Sequence, residues 1–229
     1  MAQVVPVSVS VDGGLGTLLI DNPPLNVFTI PVMEEAVAAL RRLEDDPAVK
    51  VIVVRTGGDK AFSAGVDVAD HTPEKMEHML GIFDELCLGV HRAPKPTVAV
   101  VQGMALGGGC ELAACCDLVV ASDTATFGQP EIKVGVFPII GVALFAEIMG
   151  PKAANEMLLS GATYSAEEAR AMGLVNRVVP HAELQAEAEA YLGRLLRNSG
   201  VVMRHTKRAI LACADAGRGV PSRLPGPSM

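Results

Sequence analysis

Gly103-Met104-Ala105-Leu106-Gly107-Gly108-Gly109-Cys110-Glu111-Leu112-Ala113 is the stretch around which the chain is organised. Immediately upstream, Thr97-Val98-Ala99-Val100-Val101 is apolar and rich in β-branched residues, the pattern of a buried strand. Downstream, Glu111 to Cys116 consists of small residues that a helix tolerates. Glycine has no Cβ, so a ligand or another backbone can approach its N–H within hydrogen-bond reach. The first N–H groups of a helix are unpaired and its dipole favours negative charge there. Strand, triple glycine and helix start together make a backbone that can hold an anion, with Glu111 one turn inside.

Composition narrows the rest. The 229 residues are half apolar but only 3% aromatic, so small aliphatic side chains must fill the core, as in buried α/β sheets. The net charge is −7 and no block of basic residues interrupts it, so nucleic acid is not expected as a partner. Cys87, Cys110, Cys115, Cys116 and Cys213 are odd in number and lie in apolar surroundings. They read as free thiols of a reducing compartment. The opening residues lack a signal-peptide pattern, and the longest apolar run, Val134 to Ala146, is short and broken by Pro138. A cytoplasmic protein with no membrane partner is expected.

Along the chain, Val4 to Val11 and Leu15 to Ile20 flank Asp12-Gly13-Gly14, a hairpin signal. Thr29 is placed to cap a helix from Ile30 to Glu44, with Met33, Val37, Leu40 and Leu43 on one face. Val51 to Val54 is a short strand, and Ala61-Phe62-Ser63-Ala64-Gly65-Val66-Asp67 is extended. Thr72-Pro73-Glu74 is expected to open a second helix by cap and N1 proline. Leu118 to Ala121 reads as a strand and Thr126 to Glu131 as a loop. Gly141 to Met149 and Lys152 to Leu159 read as helices, and Ser165-Ala166-Glu167-Glu168 as a capping box. Val175 to Val179 is a strand, followed by helices over Ala182 to Leu196 and Val201 to Ala214. No phosphate-binding loop, nucleophile elbow or zinc spacing is present, so no metal site is expected. Asp67 and Asp117 are expected to tie down backbone near the site.

Three motifs, Ala61 to Asp67, Ala105 to Ala113 and Phe127-Gly128-Gln129-Pro130-Glu131, resemble in order and spacing the crotonase (enoyl-CoA hydratase/isomerase) superfamily. The resemblance runs from about Val11 to Ala214. It implies an α/β fold, a crotonase-like spiral of ββα units with trailing C-terminal helices. Residues 1–180 would form the core with an acyl-CoA site, 181–216 a helical segment, and 217–229 a Gly/Pro-rich disordered tail. The resemblance also places an oxyanion hole at the backbone N–H groups of Ala64 and Gly108. It assigns Glu111 to water activation and Glu131 to proton donation, with shared duty left open. Ser63, Gly65, Val66, Asp67, Gly107, Phe137, Pro138 and Ile139 are the expected substrate-binding residues.

The implied reaction is hydration of an enoyl-CoA, with coenzyme A part of the substrate and no further cofactor. Double-bond isomerisation, thioester hydrolysis and a non-catalytic CoA-binding or assembly role are the alternatives. Where many family members have a Pro-Gly-x-Gly-Gly turn, this chain has Phe137-Pro138-Ile139-Ile140-Gly141-Val142. That bulkier apolar lining resembles hydratases of cyclic dienoyl-CoA thioesters in aromatic breakdown. A homotrimer or dimer of trimers is implied, weakened by the short C-terminus because Leu192, Leu195, Leu196, Ile210 and Leu211 would want a cover.

Overall fold

The computed structural model describes residues 6–215. β1 (Val7–Asp12) and β2 (Leu15–Ile20) form the expected antiparallel hairpin, from Val7 opposite Ile20 to Asp12 opposite Leu15. α1 (Ile30–Asp45) begins where Thr29 accepts a hydrogen bond from the Val32 N–H at 3.4 Å. Its Met33, Val37, Leu40 and Leu43 are buried, as their spacing predicts.

Three strand–strand–helix units follow. The first is β3 (Val51–Thr56), β4 (Ala61–Ser63) and α2 (Met76–Arg92). The second is β5 (Thr97–Val101), β6 (Met104–Leu106) and α3 (Gly108–Cys115). The third is β7 (Leu118–Ser122), β8 (Thr126–Gly128) and, after a 3-10 turn at Pro130–Val134, α4 (Ile139–Met149). The chain continues through α5 (Pro151–Ser160), β9 (Thr163–Ser165), α6 (Ala166–Ala171), β10 (Arg177–Val179), α7 (Leu184–Leu196) and α8 (Gly200–Asp215). The leading strand of each unit enters a six-stranded sheet of order β1-β2-β3-β5-β7-β10, and the second enters a four-stranded sheet of order β4-β6-β8-β9. This repeat is the spiral that the resemblance implies.

The large sheet is buried on both faces, which is why β3 and β5 read as unbroken apolar runs. Along β3, Ile52 and Val54 join the main core with Leu18, Met33, Phe62 and Leu112. Val51 and Val53, pointing the other way, pack with Val98, Val100 and Val120 against Leu184, Ala188 and Leu192 of α7. The helical segment expected at 181–216 is therefore no appendage over its first helix: α7 is the second cover of the sheet. Leu192 is buried there, Leu195 and Leu196 pack partly against it, and Ile210 on α8 is exposed. The expectation for Gly217 to Met229 lies outside the described residues. Among the described residues, no helix is long and apolar enough to cross a membrane.

Local differences have local causes. Thr72-Pro73-Glu74 does not open α2; the Thr72 carbonyl accepts from the Lys75 and Met76 N–H groups, making a turn before a helix that starts at Met76. α3 begins at Gly108, earlier than expected, because its glycines are themselves helical. Thr126 to Glu131 is half strand, pairing Met104–Leu106 on one side and Thr163–Ser165 on the other. The capping box is realised: Ser165 Oγ accepts from the Glu168 N–H, and the Glu168 carboxylate accepts from the Ser165 N–H.

α8 is fastened to the core by Lys207, which is buried. Its Nζ lies 2.8 Å from Asp117 Oδ2 and 3.3 Å from the Lys95 carbonyl. Asp117 also accepts from the Thr97 N–H at 2.7 Å and the Thr97 hydroxyl at 3.0 Å, the tying role expected for it. Removing the acid strands a buried ammonium, whereas replacing the lysine by an apolar chain of similar volume strands nothing comparably buried. Asp117→Ala should therefore destabilise the fold by about 3–5 kcal/mol, and Lys207→Met by clearly less. Urea denaturation of both variants measures this; an equal loss would show that the ion pair does not fasten α8.

Candidate active site

β4, β6 and β8 are parallel neighbours, so their carboxyl ends open on one edge of the small sheet. Each is followed by one of the three motifs: Ala64 to Asp67, Gly107 to Glu111, and Gln129 to Glu131. Ligands of open α/β sheets are bound at such an edge.

After β4, the buried Ser63 turns its hydroxyl to accept from the Gly65 N–H at 3.0 Å. The Ala64 N–H donates to the Leu25 carbonyl at 3.0 Å. A short parallel bridge then forms, with the Phe28 N–H donating to the Gly65 carbonyl at 2.9 Å and the Asp67 N–H to the Phe28 carbonyl at 3.0 Å. Successive residues of extended chain present their N–H groups to opposite sides. The Val66 N–H therefore faces away from Phe28, and it has no acceptor among the described residues.

The start of α3 lies against this segment. A Cβ built on Gly65 would stand 3.2 Å from the Gly108 nitrogen, and one on Gly108 would stand 3.1 Å from Val66 Cγ2 and 3.0 Å from Phe83 Cζ. At Gly109 a Cβ would fall 2.3 Å from the Ser63 carbonyl oxygen, a backbone atom that cannot swing aside. Gly107 has a φ of 53° and would set a Cβ 2.6 Å from Glu131 Oε1. The glycines are thus required by contact and by conformation.

The oxyanion hole expected at Ala64 and Gly108 is corrected by one partner. The Ala64 N–H already serves Leu25, so the donor beside Gly108 is the N–H of Val66. Nothing in the sequence marks Leu25 as that partner, which is why the register of free N–H groups was misplaced by two residues. Asp67 caps the 3-10 turn Val68–Asp70, accepting from the Ala69 N–H at 2.9 Å, and holds backbone as expected.

Glu111 is buried, with Oε1 accepting from the Gly141 N–H at 2.8 Å near the start of α4. Burial pushes its carboxyl up to about 8, against that hydrogen bond and with the help of the Glu131 charge. Glu131, half-buried on the 3-10 turn, is also raised by burial, with its own backbone N–H opposing. The buried Gln129, with its amide nitrogen toward Glu131, donates to both carboxylate oxygens, at 3.1 and 3.0 Å. Glu111, raised to about 8, therefore keeps its proton at neutral pH. A carboxyl that rests protonated can give a proton before it takes one, whereas the resemblance assigns Glu111 to water activation with shared duty left open. The raised value also opposes folding: stability contributed by this region falls as pH rises from the unfolded carboxylate range through about 8.

The remaining expected residues divide. Gly107 forms the turn between the carboxylates, Pro138 is buried before α4, and Ile139 is half-buried. Phe137 is 68% exposed, so its ring closes no pocket within this chain; Ile140 is the buried neighbour. Phe83 and Gln129 are the contributors not singled out beforehand. Phe83 is one residue of an apolar helix stripe and carries no signal of its own, whereas Gln129 stands inside a quoted motif.

Residues 11–219 match the family model for enoyl-CoA hydratase/isomerase. A probable enoyl-CoA hydratase of Mycobacterium tuberculosis is 39% identical over 202 residues, covering 87% of this chain and 78% of that protein. A crotonyl-CoA hydratase of Syntrophomonas wolfei is 36% identical over 203 residues, covering 85% and 77%. The crystal structure of an enoyl-CoA hydratase from Mycobacterium avium subsp. paratuberculosis is similar with a TM-score of 0.85 at 33% identity, covering 98% of this chain and 89% of that one. With its two sheets, its three strand-end motifs and these relatives, the chain belongs to the enoyl-CoA hydratase/isomerase family.

Proposed function

We propose that the protein is a lyase that adds water across the double bond of an enoyl-CoA thioester. The observation that carries this reading is the meeting, at one sheet edge, of two free backbone N–H groups with two carboxyls of raised pKa. Addition of water at the β-carbon places negative charge on the thioester oxygen. The Val66 and Gly108 N–H groups are set to receive it, and loss of one such donor typically costs about 3–4 kcal/mol. One carboxylate must take a proton from water while one carboxylic acid supplies the α-carbon. A pair sharing a single proton has both forms ready. The proton resting on Glu111 makes it the donor and Glu131 the first acceptor.

A cyclic dienoyl group is the finer part of the proposal. It is supported by Ile139 and Ile140 standing where many family members have small turn residues, while exposed Phe137 adds nothing to it. Assembly with further copies of the chain is also part of the proposal; Val134, Phe137, Val142 and Ile210 are exposed apolar side chains that such contacts would cover.

Glu111→Gln and Glu131→Gln should each lower hydration of crotonyl-CoA about 10²–10⁴-fold, and near wild-type turnover by either would sink the paired-carboxyl mechanism. The donor variant, Glu111→Gln on this account, should also abolish deuterium exchange at the α-carbon of bound butyryl-CoA. The pH profile of kcat/KM should be bell-shaped. Its alkaline limb near pH 8 reports loss of the Glu111 proton, and its acid limb, above the usual carboxylate range, reports protonation of Glu131. For the acyl group, cyclohexa-1,5-diene-1-carbonyl-CoA should be preferred to crotonyl-CoA by roughly 10- to 200-fold; equal use of the two would leave a general hydratase.

A further inference from the structure

Among the described residues, Asn26 is the one non-glycine residue with a positive φ, at 49°. Asparagine tolerates that left-handed conformation better than most residues, because its short polar side chain can bond nearby backbone. Here the bonding is complete. Asn26 is 1% exposed, and its Nδ2 donates to the Gly57 and Ala61 carbonyls, each at 2.8 Å. Its Oδ1 accepts from the Asn22 N–H at 3.0 Å, and its own N–H donates to the Asn22 carbonyl at 2.8 Å. Asn22 in turn donates from Nδ2 to the Val27 carbonyl at 2.8 Å. The turn from Asn22 to Val27 is thereby docked at Gly57, just after β3, and at Ala61, where β4 begins.

The neighbours of Asn26 are what this turn presents. Leu25, one residue before it, supplies the carbonyl that takes the Ala64 N–H, and Phe28, two residues after it, bridges Val66. The segment that carries the Val66 donor is thus held at two points, one on each side of Gly65, whose φ is 98°. Asn26 lies between the two anchors and its left-handed backbone fixes their spacing. Such sparsely populated conformations persist only where the surroundings over-determine them, and they cluster at functional sites. The Ala61 carbonyl also accepts from Gln102 Nε2 at 2.9 Å, so removing the Asn26 amide frees the turn more than it frees β4.

We infer that Asn26 is a positioning residue for the oxyanion hole: by fixing the Leu25 carbonyl on the Ala64 N–H, it leaves the Val66 N–H as the free donor beside Gly108. This rests on the hydratase reading and deepens it. Every bond of the Asn26 amide goes to backbone of this chain, so the residue acts through Leu25 and not on the substrate. Without that clamp the Leu25 carbonyl can leave Ala64, the peptides around Gly65 gain freedom to turn, and the two donors no longer converge. Donors held in place before the charge develops are what make such a hole effective.

The test compares wild type with two variants. Asn26→Gly keeps the left-handed backbone and removes the amide; Asn26→Asp keeps the shape but sets an acceptor oxygen against two carbonyls. Both should hydrate crotonyl-CoA with kcat lowered about 10²-fold and KM little changed, the split expected when a contact made only in the transition state is lost. Butyryl-CoA, carbon-13-labelled at the thioester carbonyl, has no double bond to hydrate and reads the hole without turnover. Its carbonyl stretch should move to lower frequency on binding to wild type and return most of the way to the solution value in Asn26→Gly. A purely structural asparagine would lower the melting temperature while leaving both kcat and the bound carbonyl stretch of the folded protein as in wild type. If wild type hydrates no enoyl thioester, the hydratase reading fails while the carbonyl stretch still decides the role of Asn26. An unchanged kcat and stretch in both folded variants, or a fold lost in both, would overturn the inference.

Discussion

The structure depends on one close approach: the backbone of α3 at Gly109 against the Ser63 carbonyl at the end of β4. The site has room there for no side chain, since a Cβ would lie 2.3 Å from that oxygen. This contact holds two consecutive strand–strand–helix units in register. It brings the Val66 segment within reach of the first turn of α3, where N–H groups are free and the dipole favours an anion. Separating the two backbones by the width of a methyl group would leave both N–H groups in place but aimed at different points. The anion site is a property of packing more than of any one side chain.

Electrostatics then follow from where α3 is placed. Because Gly108 to Cys115 is wholly buried, Glu111 enters the interior with its helix. A buried carboxyl either finds donors or keeps its proton. Here it does part of each: the Gly141 N–H holds one oxygen, yet desolvation prevails and the carboxyl is raised to about 8. Glu131 is less enclosed and is met by Gln129. Two carboxyls with unequal surroundings are the arrangement by which one site offers acid and base together. The fold is less stable for it above the unfolded carboxylate range, the usual exchange of stability for chemistry.

Much of this was legible in the residues because the relevant signals are local. The hairpin at Asp12-Gly13-Gly14, the Thr29 cap, the Ser165 capping box and the strand–glycine–helix turn each depend on neighbours a few positions away. What the chain alone did not disclose depends on distant partners. The donor register was misplaced because Leu25, far upstream, occupies the Ala64 N–H. Phe137 reads as pocket lining by its size, but the start of α4 buries Pro138 and Ile140 and turns that ring outward. The capping pattern at Thr72-Pro73 lost to a turn, since no sequence rule says whether a proline ends one element or begins the next. Leu192 reads as an uncovered face until the outer side of the large sheet is seen to need it.

The central claim is that the thioester oxygen is held between the N–H groups of Val66 and Gly108. Infrared difference spectroscopy of bound crotonyl-CoA, carbon-13-labelled at the thioester carbonyl, tests it most directly. Two converging hydrogen bonds polarise the carbonyl, so its stretch should move to lower frequency on binding. Gly109→Ala, which pushes the two backbones apart, should abolish that shift while the nucleotide part of the ligand still binds. A carbonyl stretch unchanged from solution in the wild-type complex would contradict the account.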